Sequence, residues 1–353
     1  MNNWSLAALA DAKRVQQRLA ALDFSANCIS DHAAKFAAAA DSLLQRTASP
    51  DTEAIAWFVP GRVEVFGKHT DYAGGRSVVA AAEQGFCGVA IPRPDRSVCV
   101  IDALGSVDTV FDLSAAQKSN SSSWESYPRT VMRRMAANFP SLSHGAMLAF
   151  ASDLPPAAGM SSSSALMVLI FLLYGDLYGV AEDSNCRANI SSVMDLASYL
   201  GTVENGQSYR ELYGDAGVGT FGGSQDHTAI LCAKPRAWTQ FSYAPIKLER
   251  VIDPPADSVW VIGVSGVLAE KTGAARDLYN RAAHLAARLT ELWCEATQRT
   301  EPHLAAIVRS SPKAVTVLRQ LLADPRYGND IPEQLANRFE QFVAESEIMI
   351  PSI

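Results

Sequence analysis

"VPGRVEVFGKHTDYAGG", residues 59–75, decides how this chain is read. The stretch leading into it, AIAWFVPGRVEVFG, is rich in valine and aromatics and predicts β-structure with a Pro-Gly interruption. Lys68, His69, Asp71 and Tyr72 then crowd onto a turn that two glycines, Gly74 and Gly75, keep from being helical. A strand alternates its faces, so Arg62 can lean one way while the turn carries the rest. Folding needs only the glycines. The polar cluster suits recognition of a polyol, and a surface salt-bridge cluster is the plainer alternative.

The bulk numbers narrow the field. A chain of 353 residues holds one large or two medium domains. Its hydrophobic share of 48% and charged share of 19% are those of an ordinary globular protein with material for a core. With a net charge of −7 and no Lys/Arg-rich run, it lacks the basic face of a general nucleic-acid binder, so small molecules are the expected partners. The six cysteines are scattered without metal or redox spacing and are expected to be isolated thiols of a reducing cytosol. The N-terminus reads as an amphipathic helix rather than a signal peptide, and the most apolar run, ALMVLIFLLYG from Ala165, is too short for a bilayer. A cytoplasmic protein is the expectation.

Along the chain, residues 1–48 show helical periodicity and form an expected N-terminal extension. GFCGVAI, SVCVIDA and GAMLAFASDLP predict strands, KSNSSS a polar loop, and WESYPRTVMRRMAANF a helix. Further helices are expected near 191–204 and 274–300, a short strand after the glycines of GGSQDHTAILCA, and another strand at VWVIGV. A composition shift near AKPRAW and DPPADS places a boundary around 235–255. The expected division is therefore an extension over 1–48, a domain over 49–240 and another over 241–353.

Two more stretches point to chemistry. PPAAGMSSSSALMVLIFLLYG runs small residues and four serines straight into an apolar helix. Serine caps helices, the first turn presents unpaired N–H groups, and small residues let a phosphate approach. A flexible serine linker is the alternative, although linkers do not lead directly into buried helices. The Walker A pattern is absent. Glu204 near a helix end and Asp226 beside glycines are the other candidates. One carboxylate near a phosphate site can hold Mg²⁺, and another can take a proton from an attacking hydroxyl. Taken singly, either reads equally as a surface acid.

Together these stretches resemble the GHMP kinases, and among them the galactokinases. PGRVEVFGKHTDYAGG resembles the galactokinase signature, LPPAAGMSSSSAL the family's phosphate loop, GGSQDH the segment bearing its catalytic aspartate, and VSGVLAEKTGAARDLYNRAA a sugar-side segment. The resemblance implies an α+β, two-domain GHMP kinase fold with the active site between the domains. It implies an ATP-dependent sugar kinase forming a sugar 1-phosphate, with Mg²⁺ as the companion of ATP. By position, Asp226 would act as base and Arg62 would stabilise the nucleophile or the transferring phosphoryl group. Ala157, Ala158, Gly159, Met160, Ser161, Ser162 and Ser163 would line the triphosphate loop, with Ser163 and Glu204 facing Mg²⁺. Lys68, His69, Asp71, Tyr72 and Tyr279 would form the sugar side. A galactokinase-like sensor that binds sugar and ATP without catalysis is the rival.

The pattern departs from the family in three places. Lys68 stands where galactokinases carry glutamate, and a cation donates hydrogen bonds but accepts none, which points away from galactose. Ala157 and Ala158 replace glycines of the phosphate loop, from which altered nucleotide affinity is expected. The family's closing glycine-rich motif is missing before the chain ends at ESEIMIPSI; either the chain is truncated or the motif has been lost, and truncation, leaving a second domain with an exposed sheet edge, is the expectation.

Overall fold

The structure is a computed structural model. It describes residues 4–22, 24–46, 49–105, 107–113, 124–155, 157–257, 260–263, 274–326 and 332–353. The KSNSSS loop lies outside the described residues. The fold is mixed α and β, in two compact units.

The first unit joins residues 1–61 and 82–218. Its strands are β1 (Trp4–Ser5), β2 (Glu53–Phe66), β3 (Arg76–Pro92), β4 (Ser97–Asp102), β5 (Val107–Asp112) and β6 (Ala146–Ser152), in the order β1-β2-β3-β6-β4-β5. β2 and β3 run on into the second unit. β3 and β6 are antiparallel, with Cys87 opposite Ala151, whereas β4 and β6 are parallel, with Cys99 opposite Met147. Helices α1 (Leu6–Ala10), α2 (Ala12–Ala21) and α3 (Ala26–Leu44) pack Leu6, Leu9, Phe36 and Leu43 against Cys87, Val89, Ile91, Ile101 and Met147. The other residues of β3 face the opposite way. A Cβ added at Gly88 would lie 2.8 Å from both Leu169 δ-methyls. Helices cover both sheet faces there, which is why GFCGVAI reads as a continuous apolar run instead of an alternating one.

Residues 1–48 are therefore not a separate extension, because they supply half of this core. α1 to α3 bury their apolar stripes only by lying on the sheet. The unit is completed by α4 (Ser126–Asn138), α5 (Ser162–Tyr178), α6 (Ser184–Asn189) and α7 (Val193–Asn205). α5 is apolar around most of its circumference and buried from Ser164 to Phe171, which accounts for its near absence of amphipathic pattern.

The second unit joins residues 62–81 and 219–353. A single cut near 240 does not describe the chain, because the hairpin carrying Arg62 and Asp71 packs with residues far downstream. Composition along the chain cannot reveal a discontinuous unit. Here the start of β3 pairs antiparallel with β7 (Trp238–Ser242), Arg76 opposite Ser242, and β7 pairs with β8 (Lys247–Ile252). The helices are α8 (Gln225–Cys232), α9 (Ala274–Thr297), α10 (Leu304–Ser310), α11 (Ala314–Ala323), α12 (Pro332–Phe342) and α13 (Ile350–Ser352). Between α12 and α13 the chain is π-helical over Val343–Met349. Leu289, Trp293, Leu304, Phe339 and Phe342 form the core, with Ala73 of the hairpin among them.

Two local expectations change. The segment after GGSQ is helix α8, not a strand: Ser224 O accepts from both the amide and the hydroxyl of Thr228, 2.8 and 2.7 Å. A short apolar run does not by itself separate a strand from a buried helix. Trp260–Gly263 takes no strand geometry, and Trp260, Val261 and Ile262 stay exposed, the Trp260 ring edge-on to Trp238. All six cysteines are free, and no described helix is long and apolar enough to cross a membrane.

Candidate active site

The hairpin and α8 bring Asp226 and Arg62 together, 164 positions apart in the chain. Arg62 donates from Nε and Nη2 to Asp226 Oδ1, at 2.9 and 2.6 Å. Both side chains are largely shielded, 11% and 14% exposed, so the pair is screened far less than a surface ion pair. Asp226 sits in the first turn of α8, where its charge also meets the helix's positive end.

The neighbouring Gln225 ties two further carboxylates to this pair. Its side-chain amide donates to Glu64 Oε2 at 2.6 Å and its backbone N–H donates to Asp71 Oδ2 at 3.0 Å. Glu64 lies two residues beyond Arg62 on the same strand, and their charged ends are 3.9 Å apart. The period of two along a strand puts both on one face, a signal that singles out Glu64 from sequence once Arg62 is chosen. Gln225 carries no comparable signal.

Burial dominates the electrostatics. It pushes the Asp71 carboxyl above its ordinary range, against the pull of the Gln225 N–H, and the Asp226 charge adds to the rise. Glu64 is raised for the same reason, with Arg62 opposing. Tyr243, fully enclosed and 2.6 Å from the Ser77 hydroxyl, is raised well above the usual phenol range by burial. Clustered, perturbed acids beside one arginine mark a candidate functional site.

The turn is shaped by glycines. Gly67 and Gly74 have φ of +93° and +73°, and a Cβ at Gly74 would strike the His303 ring. Asp71 is buried in the 3₁₀ turn Asp71–Ala73. Lys68 is exposed at the tip, while the His69 and Tyr72 rings lie 6.3 Å apart. Tyr279 falls in α9, and its side chain lies outside the described residues.

The phosphate-loop candidates belong to the first unit. Ala157, Gly159 and Ser161 take left-handed φ of 53°, 77° and 55°, so the loop from Ala157 through Ala158, Gly159, Met160 and Ser161 coils tightly into the N-terminus of α5. Ala157 adopts without a glycine the conformation that favours one, at a cost of order 1 kcal/mol. Gly61 lets the loop approach, since a Cβ there would lie 3.1 Å from the Met160 carbonyl. The Ser161 hydroxyl is buried and has no hydrogen-bond partner among the described residues. Ser162 and Ser163 open α5, but the hydroxyl that reaches Glu204 is that of Ser164, donating to Oε2 at 2.9 Å. A serine hydroxyl and a carboxylate are hard oxygen donors of the kind Mg²⁺ takes, so these residues fit that ion.

Residues 46–92 match the galactokinase galactose-binding signature, and residues 126–208 match the N-terminal domain of the GHMP kinases. A galactokinase of Enterococcus faecalis is 32% identical over 126 residues, covering 35% of this chain and 33% of that protein. A galactokinase of Lactiplantibacillus plantarum is 29% identical over 203 residues, 54% of this chain and 47% of that protein. The chain thus spans about a third to a half of the length of the curated relatives it matches. In fold it resembles Lactococcus lactis galactokinase, solved with galactose, at a TM-score of 0.63 and 20% identity, over 87% of this chain and 71% of that one.

Residues 126–208 are thus similar to the N-terminal domain of the GHMP kinases, and the fold is similar to that of a galactokinase. Among the curated relatives, its likeness is to the galactokinases.

Proposed function

We propose that the chain transfers the γ-phosphoryl group of ATP to the anomeric hydroxyl of a monosaccharide, giving a sugar 1-phosphate and ADP. The observation that carries this reading is the Arg62–Asp226 pair, shielded and joined through Gln225 to Glu64 and Asp71. Phosphoryl transfer asks the protein mainly for positioning and charge neutralisation. Asp226 takes the proton of the attacking hydroxyl as its oxygen bonds to phosphorus and the bond to ADP breaks. Arg62 holds the Asp226 carboxylate in place and supplies positive charge beside the nucleophile. His69, Asp71, Tyr72 and Tyr279 hold the sugar. The residues from Ala157 to Ser163 hold the triphosphate with backbone N–H groups at the head of α5. Mg²⁺, held through Glu204 with Ser163 or Ser164, would neutralise charge on the phosphate oxygens.

Lys68 carries the specificity in this reading. A lysine at the exposed tip of the sugar-side turn pairs with a carboxylate better than with a neutral hydroxyl, so a sugar acid is the favoured substrate. A coupled assay of galactose, arabinose and galacturonate, run with the parent and with Asp226→Ala, tests both statements. Transfer that disappears in the variant while sugar and ATP still bind supports the kinase. Equal transfer by the variant removes the role given to Asp226. A parent that binds both ligands and transfers nothing is a sensor. Galactose as the clear best substrate removes the carboxylate.

A further inference from the structure

The recognition turn is held partly from within, the Thr70 hydroxyl donating to the Gly67 and Arg76 carbonyls at 2.9 and 2.6 Å, and partly from outside. Gly67 and His69 are both left-handed, φ +93° and +59°, and for a histidine that conformation is costly. The groups that brace the backbone around Lys68 and His69 from outside the turn come from residues 338–345. Two consecutive amides, Gly67 N–H and Lys68 N–H, donate to the same oxygen, Glu345 Oε2, at 3.1 and 2.9 Å. This is the concave arrangement of successive N–H groups that seats an anion, and here a carboxylate of the same chain fills it. Gln341 Nε2 donates to the Lys68 carbonyl at 3.1 Å. Arg338, 9% exposed, donates to the His69 carbonyl and, at 3.2 Å, to the Tyr72 hydroxyl. Its guanidinium also lies 5.6 Å over the Tyr72 ring.

These contacts fall on one side of a single helical stretch. On its other side, Phe339 and Phe342 are wholly buried in the core of the second unit. Arg338, Gln341 and Glu345 are spaced three and four apart, one per turn. The chain becomes π-helical at Val343, and a π turn re-aims the residues that follow it. The apolar side anchors the stretch and the polar side grips the backbone on either side of Lys68 and His69.

We propose that Arg338 and Glu345 are positioning residues of the sugar site, a clamp that sets the directions of Lys68, His69 and Tyr72. The inference rests on the sugar-kinase reading and deepens it. Neither residue needs to touch the sugar. Removing either leaves the chemical groups present and lets the turn relax, so ground-state sugar binding suffers more than transfer.

The test compares Glu345→Ala, Arg338→Met and Arg338→Lys with the parent. It uses steady-state kinetics on the best sugar of the panel and amide hydrogen exchange. Loss of a charge-assisted pair of hydrogen bonds should raise the sugar KM about tenfold in Glu345→Ala, with kcat within about threefold and the ATP KM unchanged. Exchange should quicken at Gly67 and Lys68 while α9 keeps the parent rate. Arg338→Lys, which still donates one bond, should fall between the parent and Arg338→Met. An unchanged sugar KM overturns the proposal, and so does faster exchange throughout the second unit, which marks a folding role. If the parent phosphorylates no sugar, the kinase reading fails separately. Exchange at Gly67 and Lys68 then decides the clamp alone, unaltered rates in Glu345→Ala refuting it.

Discussion

Replacing Gly223 by alanine probes how closely Asp71 is fitted to the start of α8. A Cβ at this position would lie 2.3 Å from Asp71 Oδ2, 2.7 Å from its Cγ and 2.9 Å from the Tyr72 amide nitrogen. Ordinary contact begins near 3.4 Å, so the carboxylate must retreat by roughly 1 Å. Asp71 is buried, and its Oδ2 is already 3.0 Å from the Gln225 amide. A shift of that size carries the bond past hydrogen-bonding range and leaves a buried acceptor short of its donor. Overpacking and the lost bond together cost about 2–5 kcal/mol. For a unit of this size that lowers Tm by roughly 5–15 °C. Thermal unfolding of four proteins measures it: parent, Gly223→Ala, Asp71→Ala and the double variant. In the Asp71→Ala background the carboxylate is gone, and the methyl should cost less than half as much, the remainder arising at Tyr72. Equal costs in both backgrounds, or a Gly223→Ala protein that melts with the parent, would refute the reasoning.

Two further predictions concern pH. Burial raises the Glu64 carboxyl in the folded state, so its contribution to stability is full below the ordinary carboxylate range and is lost as pH rises through the folded value. Glu64→Gln keeps an acceptor for Gln225 without a charge to bury, and its denaturation midpoint should fall less than the parent's between pH 4.5 and 7; parallel midpoints in a urea series count against this. His303 caps α10 by accepting from the Ala306 amide at 3.1 Å, and burial lowers its pKa. Its cap is therefore intact above the ordinary histidine range and lost as pH falls through the lowered value, a loss of about 1 kcal/mol. His303→Asn, which caps at any pH, should flatten that acid limb, and an unchanged limb would show the cap to be immaterial.

The fold class was legible because its signals are local. The valine-rich run before Gly67, the apolar helix after the serines and the glycines around the turn each act within a few residues. The same locality made Arg62, Lys68, His69, Asp71 and Tyr72 visible as a group. α8 was misread because TAIL suits either a strand or a buried helix, and only the bonds from Thr228 to Ser224 choose between them. The single boundary near 240 failed because the second unit takes residues 62–81 out of the middle of the first.

What the amino-acid order settled alone was which chemical groups exist and which share a turn or a strand face. Tertiary structure decided which distant groups meet. Asp226 reaches Arg62, Gln225 reaches Glu64 and Asp71, and Arg338 and Glu345 reach the recognition turn, across separations of 154 to 278 positions. The physical reason is that periodicity encodes the direction a side chain takes from its own backbone. Its partner is fixed only when buried apolar faces, such as that of Phe339 and Phe342, dock one element on another.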